Sequence, residues 1–104
     1  MEYISTRNNS DHFSFKKVFL KGLADDGGLF VPKSIKPFNE DELNKLSGLN
    51  YNELAAEIIF PFIGDFMSKE ELISIISKSY SNFRTEDVVK ISNLGNLKIL
   101  EIYH

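Results

Sequence analysis

The chain has 104 residues, 42% of them hydrophobic, with 12 Lys/Arg against 15 Asp/Glu, a formal net charge of −3 and no cysteine. That length fits one domain with its own core, and the apolar fraction is that of a folded chain rather than a disordered one. The cations are interspersed with acids, which excludes a surface that tracks nucleic-acid phosphates, and the missing cysteines exclude a disulfide framework, a thiolate metal site and a thiol nucleophile.

In chain order, Tyr3 to Ser5 reads as a short strand. A helix is predicted from Ser14 as N-cap to about Lys21, with Phe15, Val18 and Phe19 on one face. Gly22 suits the left-handed position beyond its end, with Leu23 packing back on Val18. Asp26-Gly27-Gly28 makes a tight turn into Leu29-Phe30-Val31, and Pro32 stops that apolar stretch.

One device then recurs along the chain. Asn39 precedes Glu42, Asn50 precedes Glu53 and Ser68 precedes Glu71, each at the spacing of a capping box. Each cap is flanked by an apolar pair placed as a hydrophobic staple: Phe38 with Leu43, Leu49 with Leu54, Met67 with Leu72. The helices that follow are predicted over Glu40 to Leu46, Tyr51 to about Phe60 and Lys69 to about Tyr80. The second is expected to stop before Pro61, which biases its predecessor out of the helical region. In the third, Leu72, Ile73, Ile76 and Tyr80 share a core-facing stripe.

After Phe83, Val88 to Ile91 and Leu97 to Tyr103 read as strands joined by a turn at Asn93-Leu94-Gly95-Asn96. The second run is apolar on both parities and asks for cover on both faces. It reaches His104, where the sequence stops without the polar, frayed residues that usually finish a domain. The expectation is a single domain over 1–104, cut short inside a buried strand, whose cover self-association of the chain could supply. No apolar run approaches the ~20 residues of a membrane span. The opening Met1-Glu2-Tyr3-Ile4 has no signal-peptide pattern, so a cytoplasmic protein is expected.

Four stretches, in order, are similar to those of one family. Tyr3-Ile4-Ser5-Thr6-Arg7 resembles the "Y-x-S-T-R" opening of the threonine synthases, and Gly22 to Pro32 resembles their "GLAxDGGLyvP" segment. Tyr51-Asn52-Glu53-Leu54-Ala55 is similar to their "Y-x-E-L-A" helix start. Leu100 to His104 resembles the "LELFH" strand that leads into their cofactor-lysine segment. Asn8 stands where the family usually has Gly. The resemblance implies a pyridoxal-phosphate enzyme of fold type II that converts O-phosphohomoserine and water to threonine and phosphate. This chain would then be its N-terminal domain, packed beside the cofactor domains. It would lack the Schiff-base lysine, bind no cofactor and be inactive alone.

Within that frame Arg7 is the sharpest candidate for substrate contact. Its guanidinium fork suits a phosphate or carboxylate, and Ser5 and Thr6 could add hydroxyl donors. The competing reading pairs Arg7 with an acid of its own domain and gives the two hydroxyls to turn backbone. Asp26-Gly27-Gly28 is read as a structural turn, because Asp25 and Asp26 would repel an anion there. His104 is a near-cofactor candidate, and His12, beside Asp11, reads as solvated. Neither histidine has partners at metal-ligand spacing, so no metal site is predicted. Phe13, Phe15, Phe19, Phe30, Phe60, Phe62, Phe66 and Phe83 fall mostly on apolar faces and are read as core packing.

The fold class expected is α+β: a mostly helical small domain of about four helices, with a small β-sheet from the N-terminal strand and a C-terminal hairpin. The rival functional reading is a free-standing module that binds a protein through the Ile99–Tyr103 strand edge.

Overall fold

The structure, a computed structural model, describes residues 1–83 and 89–102. Its elements follow in the order β1 (Tyr3–Ser5), α1 (Phe15–Lys21), β2 (Phe30–Pro32), α2 (Glu40–Ser47), α3 (Tyr51–Ile63), α4 (Lys69–Tyr80), β3 (Lys90–Leu94) and β4 (Leu97–Glu101). The α+β class and the four helices are as the sequence predicts.

All three capping boxes form, with the N-cap side chain accepting from the N3 amide and the N3 carboxylate accepting from the N-cap amide. In α2 both bonds are 2.9 Å, between Asn39 and Glu42. The Asn39 N–H, and then Lys36, hold the Glu42 carboxyl below its ordinary range. Ser14 caps α1 through its hydroxyl, which accepts from the Lys17 amide at 3.4 Å. Beyond α1, Gly22 has φ 78° and ψ −69°, away from the left-handed helical well. Leu23, expected to pack back on Val18, is largely exposed.

One boundary differs from the prediction. Helix α3 continues through Pro61 to Ile63, whereas the sequence suggests a stop near Phe60. The lost amide costs one intrahelical bond near the helix end. Against that, the extra turn carries Ile63 into the core and presents the Phe62 carbonyl to the hydroxyl of Tyr3 at 2.8 Å.

Helices α3 and α4 form a helical hairpin whose contact is the core. Ala56, Ile63, Leu72 and Ile76 are buried there, with Phe15, Phe60, Phe66, Met67, Ile73 and Tyr80 packed around them. Ala56 is wholly inaccessible, and its small side chain is what lets the two backbones approach. Lys69 of α4 pairs with Glu57 of α3 across the top of the hairpin. Helix α1 joins through aromatic contacts, Phe15 edge-on to Phe66 at 5.4 Å and Phe19 at 5.8 Å from the same ring.

The strands make two separate antiparallel pairs. Strand β1 lies against β2 in the register Tyr3↔Pro32, Ile4↔Val31, Ser5↔Phe30, and Tyr3 also exchanges two 2.9 Å backbone bonds with Phe13. Strands β3 and β4 form a hairpin closed by Gly95-Asn96, with Leu94 opposite Leu97. Gly95 has φ 63° and no described residue other than glycine has positive φ, the combination a II′ hairpin turn needs. Val88, Tyr103 and His104, assigned to strands by the sequence, lie outside the described residues.

The hairpin is apolar on both faces, as its sequence pattern implies, and largely uncovered: Ile91, Leu94, Leu97, Ile99, Leu100 and Ile102 are all exposed. The whole chain shares this openness. Its accessible surface is 8142 Å², against about 5,900 Å² for an ordinary monomer of this mass. Its radius of gyration is 17.3 Å, against about 13 Å for a compact domain of this length.

Tyr3 links the strand layer to the helices through one hydrogen bond and a ring contact with Phe15. Burial raises the pKa of its phenol. Tyr3→Phe leaves the Phe62 carbonyl without that donor. We expect a loss of about 1–2 kcal/mol, read as a lower urea midpoint at unchanged slope; an unchanged midpoint would show that the bond carries no weight.

Candidate functional site

The end of β1 and the turn before β2 are brought together by strand pairing. The turn is closed twice, by the Gly27 amide donating to the Ala24 carbonyl at 3.0 Å and the Ala24 amide donating to the Gly28 carbonyl at 3.1 Å. Gly27 takes φ 76°, a conformation open to glycine and strained for other residues. The Asp26 carboxylate folds back to accept the Gly28 amide at 2.8 Å, an Asx-type bond within its own turn.

Onto this turn the three predicted contact residues converge. The buried Ser5 hydroxyl donates to Asp26 Oδ1 at 2.8 Å and accepts the Arg7 amide at 3.1 Å. Thr6 Oγ1 accepts the Leu29 amide at 3.0 Å. Arg7 Nη1 donates to the Asp26 backbone carbonyl at 3.1 Å. The glycines make the approach possible: a β-carbon on Gly28 would stand 2.2 Å from Ser5 Oγ and 3.1 Å from Thr6 Oγ1, and one on Gly27 would stand 2.9 Å from Arg7 Nη1. Two motifs that read as separate in the sequence, Ser5-Thr6-Arg7 and Asp26-Gly27-Gly28, are thus one constellation.

Its electrostatics are asymmetric. The Gly28 amide and then the Ser5 hydroxyl hold the Asp26 carboxyl below its ordinary pKa, with the Arg7 charge a smaller contribution. The neighbouring Asp25 is paired with Lys21. Among the described residues Arg7 forms no ion pair, and its Nε and Nη2 make no hydrogen bond. Ser5 has spent its proton internally; Thr6 accepts through its oxygen and keeps its hydroxyl hydrogen.

The remaining sequence candidates lie elsewhere. His104 is outside the described residues. His12, read as solvated, faces Glu2 with 3.4 Å between Nδ1 and Oε1, and His12 is the first cause of a lowered Glu2 pKa. Among the described residues no three His, Asp or Glu side chains gather as a metal site.

Nor do these residues suit pyridoxal phosphate. The cavity beside the constellation, about 110 Å³, is lined by Asp11, Asp25 and Asp26 with one lysine, Lys21. That lysine is already paired with Asp25, and three carboxylates oppose a phosphate ester. A larger cavity of about 290 Å³ is walled by Met1, Ile35, Phe38, Ile58, Pro61 and Phe62. Its lysine, Lys36, is held by Glu42 at 3.0 Å.

Fold and site together define a small α+β domain: a helical hairpin and two strand pairs, with an arginine seated on a glycine turn. The family model for the threonine synthase N terminus matches residues 2–80. Threonine synthase of Pseudomonas aeruginosa is 36% identical over 105 aligned positions, covering 100% of this chain and 22% of that protein. The human protein threonine synthase-like 2 is 37% identical over 106 positions with the same coverage. The crystal structure of pyridoxal-phosphate-bound threonine synthase from Brucella melitensis superposes with a TM-score of 0.86 at 30% identity, over 100% of this chain and 23% of that one. The Escherichia coli enzyme gives a TM-score of 0.80 at 23% identity, a likeness of fold. The chain belongs to the threonine synthase family, matching its N-terminal region, and spans about a fifth of the length of the curated relatives it matches.

Gly28→Ala drives a methyl into Ser5 Oγ and toward Asp26 Oδ1, so the turn must open. We expect a loss of about 1–3 kcal/mol and changed amide shifts for Ser5 to Arg7; an unaltered spectrum would contradict the contact. Because the folded-state pKa of Asp26 is lowered, its stabilisation is complete above the unfolded-state value and is lost as pH falls through the folded one. Asp26→Asn should therefore flatten the acid limb of the stability profile and leave the limb above neutral pH unchanged in slope.

Proposed function

We propose that this chain serves as the N-terminal domain of a threonine synthase, a cytoplasmic pyridoxal-phosphate lyase that converts O-phosphohomoserine and water to threonine and phosphate. The observation that carries the reading is full-length collinearity, 36% identity over 100% of the chain with an enzyme bearing that name. The open shape supports it. A surface about 2,200 Å² above that of an ordinary monomer suits a domain that packs on a larger body. The doubly apolar hairpin β3–β4 is the natural place for cofactor domains of the same polypeptide to cover. The same exposed edge would serve a free-standing interaction module. The relatives, more than four times as long and collinear with the whole of this chain, favour the first reading.

In this reading the chain's own residues bind and orient; the cofactor, held by the rest of the enzyme, supplies the electron sink. On this reading residues 1–104 are inactive alone, and the acidic cavity beside the constellation, whose one lysine is paired with Asp25, suits the cofactor's phosphate poorly. Arg7 faces the anionic substrate with the free edge of its guanidinium, Thr6 can add its hydroxyl proton, and Ser5 holds the Arg7 amide. His104 adjoins the cofactor segment.

The test is a graft. Residues 1–104 replace the matching region of the Pseudomonas aeruginosa enzyme, and phosphate release from O-phosphohomoserine is measured. We expect activity within about tenfold of the parent, a change of about 1.4 kcal/mol in barrier. A folded, cofactor-loaded chimera without phosphate release overturns the reading. The isolated chain mixed with pyridoxal phosphate should give no stoichiometric, lysine-dependent aldimine band; such a band would overturn its inertness.

A further inference from the structure

We propose that Asp26 is a positioning residue for Arg7: its side chain locks the turn whose backbone carbonyl holds one guanidinium nitrogen, leaving the opposite edge free for a phosphate monoester. This rests on the reading above that Arg7 faces substrate, and adds the residue that makes it face outward.

Asp26 offers its carboxylate oxygen Oδ1 to its own turn and to Ser5, and its backbone carbonyl to Arg7. A carboxylate this near an arginine would ordinarily form the bidentate ion pair that consumes the guanidinium fork. Here it turns inward, taking the Ser5 hydroxyl and the Gly28 amide, each at 2.8 Å. Arg7 Nη1 receives only the Asp26 backbone carbonyl, at 3.1 Å. A neutral carbonyl fixes the side chain without cancelling its charge. The Arg7 amide is fixed as well, by Ser5 Oγ at 3.1 Å, so main chain and side chain rest on the same clamp. Gly27, whose β-carbon would stand 2.9 Å from Nη1, leaves room for that seat. Asp25, the other acid nearby, is neutralised by Lys21. Of the acids at this turn, Asp25 is thus paired with a lysine, and the Asp26 carboxylate is held inward by the Ser5 hydroxyl of β1 and the Gly28 amide of its own turn.

The ligand class follows from the donors. The free Nε and Nη2 edge offers two parallel N–H groups, matched to two oxygens of a tetrahedral dianion, and Thr6, next to Arg7 in the chain, keeps a hydroxyl hydrogen to donate. Holding a long side chain in its bound rotamer before the ligand arrives removes an ordering cost from binding, and loosening it restores that cost.

The sign of one substitution separates positioning from charge. The 104-residue chain, labelled with nitrogen-15, is titrated with inorganic phosphate and in parallel with acetate while the Arg7 Nε–H resonance is followed. We expect a saturable phosphate shift, a weaker response to acetate, and no response in Arg7→Gln. Asp26→Ala should weaken phosphate binding about two- to tenfold, although it removes a negative charge. Ser5→Ala, which keeps the charge and breaks the clamp, should weaken it likewise. Asp26→Asn, which keeps the acceptor, should restore binding to the wild-type level or tighter. Amide spectra of α3 and α4 report that each variant is folded. If Asp26→Ala binds phosphate as well as wild type or better, charge alone governs and the proposal fails; it fails equally if Arg7 shows no saturable shift. An active chimera with a silent Arg7 would sink this inference alone, and a responsive Arg7 with an inactive chimera would sink the enzymatic reading alone.

Discussion

The hydroxyl of Tyr3, donating to the Phe62 carbonyl at 2.8 Å, joins the strand layer to the helical hairpin. Tyr3 is paired with Pro32 on one side and with Phe13 on the other, so one buried residue ties together β1, β2, the segment before α1 and the end of α3. The bond requires α3 to run past Pro61, because a helix that stopped at Phe60 would carry its last carbonyls elsewhere. Proline weakens the helix locally, and tertiary packing through Ile63 and Tyr3 holds the final turn in place. This is the usual outcome when helical stability comes chiefly from the buried face.

What Tyr3 holds in place is the base from which Ser5, Thr6 and Arg7 project two to four residues later. The constellation combines bonds within the turn with bonds that reach about 20 residues back to Ser5, Thr6 and Arg7, and the two segments meet because β1 and β2 are in register. Its precision comes from glycine on one side and from hydroxyls on the other. Gly28 yields the space that Ser5 Oγ occupies, and Ser5 in turn fixes the carboxylate of Asp26. Removing any one of the three loosens the other two, so their energetic effects should not add.

Much of the fold was legible because its signals are local. A capping box is a four-residue pattern whose two bonds form without help from the rest of the chain, which is why the starts of α2, α3 and α4 could be placed to the residue from Asn39, Asn50 and Ser68. The end of α3 was not legible, since it depends on a partner 59 residues away. The candidate site was half legible. The residue types of Ser5-Thr6-Arg7 and the turn at Asp26-Gly27-Gly28 could be read separately, but their meeting depends on strand register, which periodicity leaves open in three-residue strands. An Asp two residues before a Gly was the available hint that the Asp26 carboxylate would bond within its own turn. From there a turned-in aspartate beside a free arginine could be seen only in three dimensions.

The openness of the chain has a thermodynamic counterpart. A fully unfolded chain of this mass exposes about 17,000 Å², so a native surface of 8142 Å² means that folding removes about a fifth less area from water than in a compact domain of equal length. Denaturant sensitivity and the heat capacity of unfolding both scale with that area. By itself the chain should therefore show a shallow unfolding transition and a flat stability curve. Each would steepen once the β3–β4 hairpin is covered, and the gain would measure how much of this domain's cooperativity resides in the surface it shares.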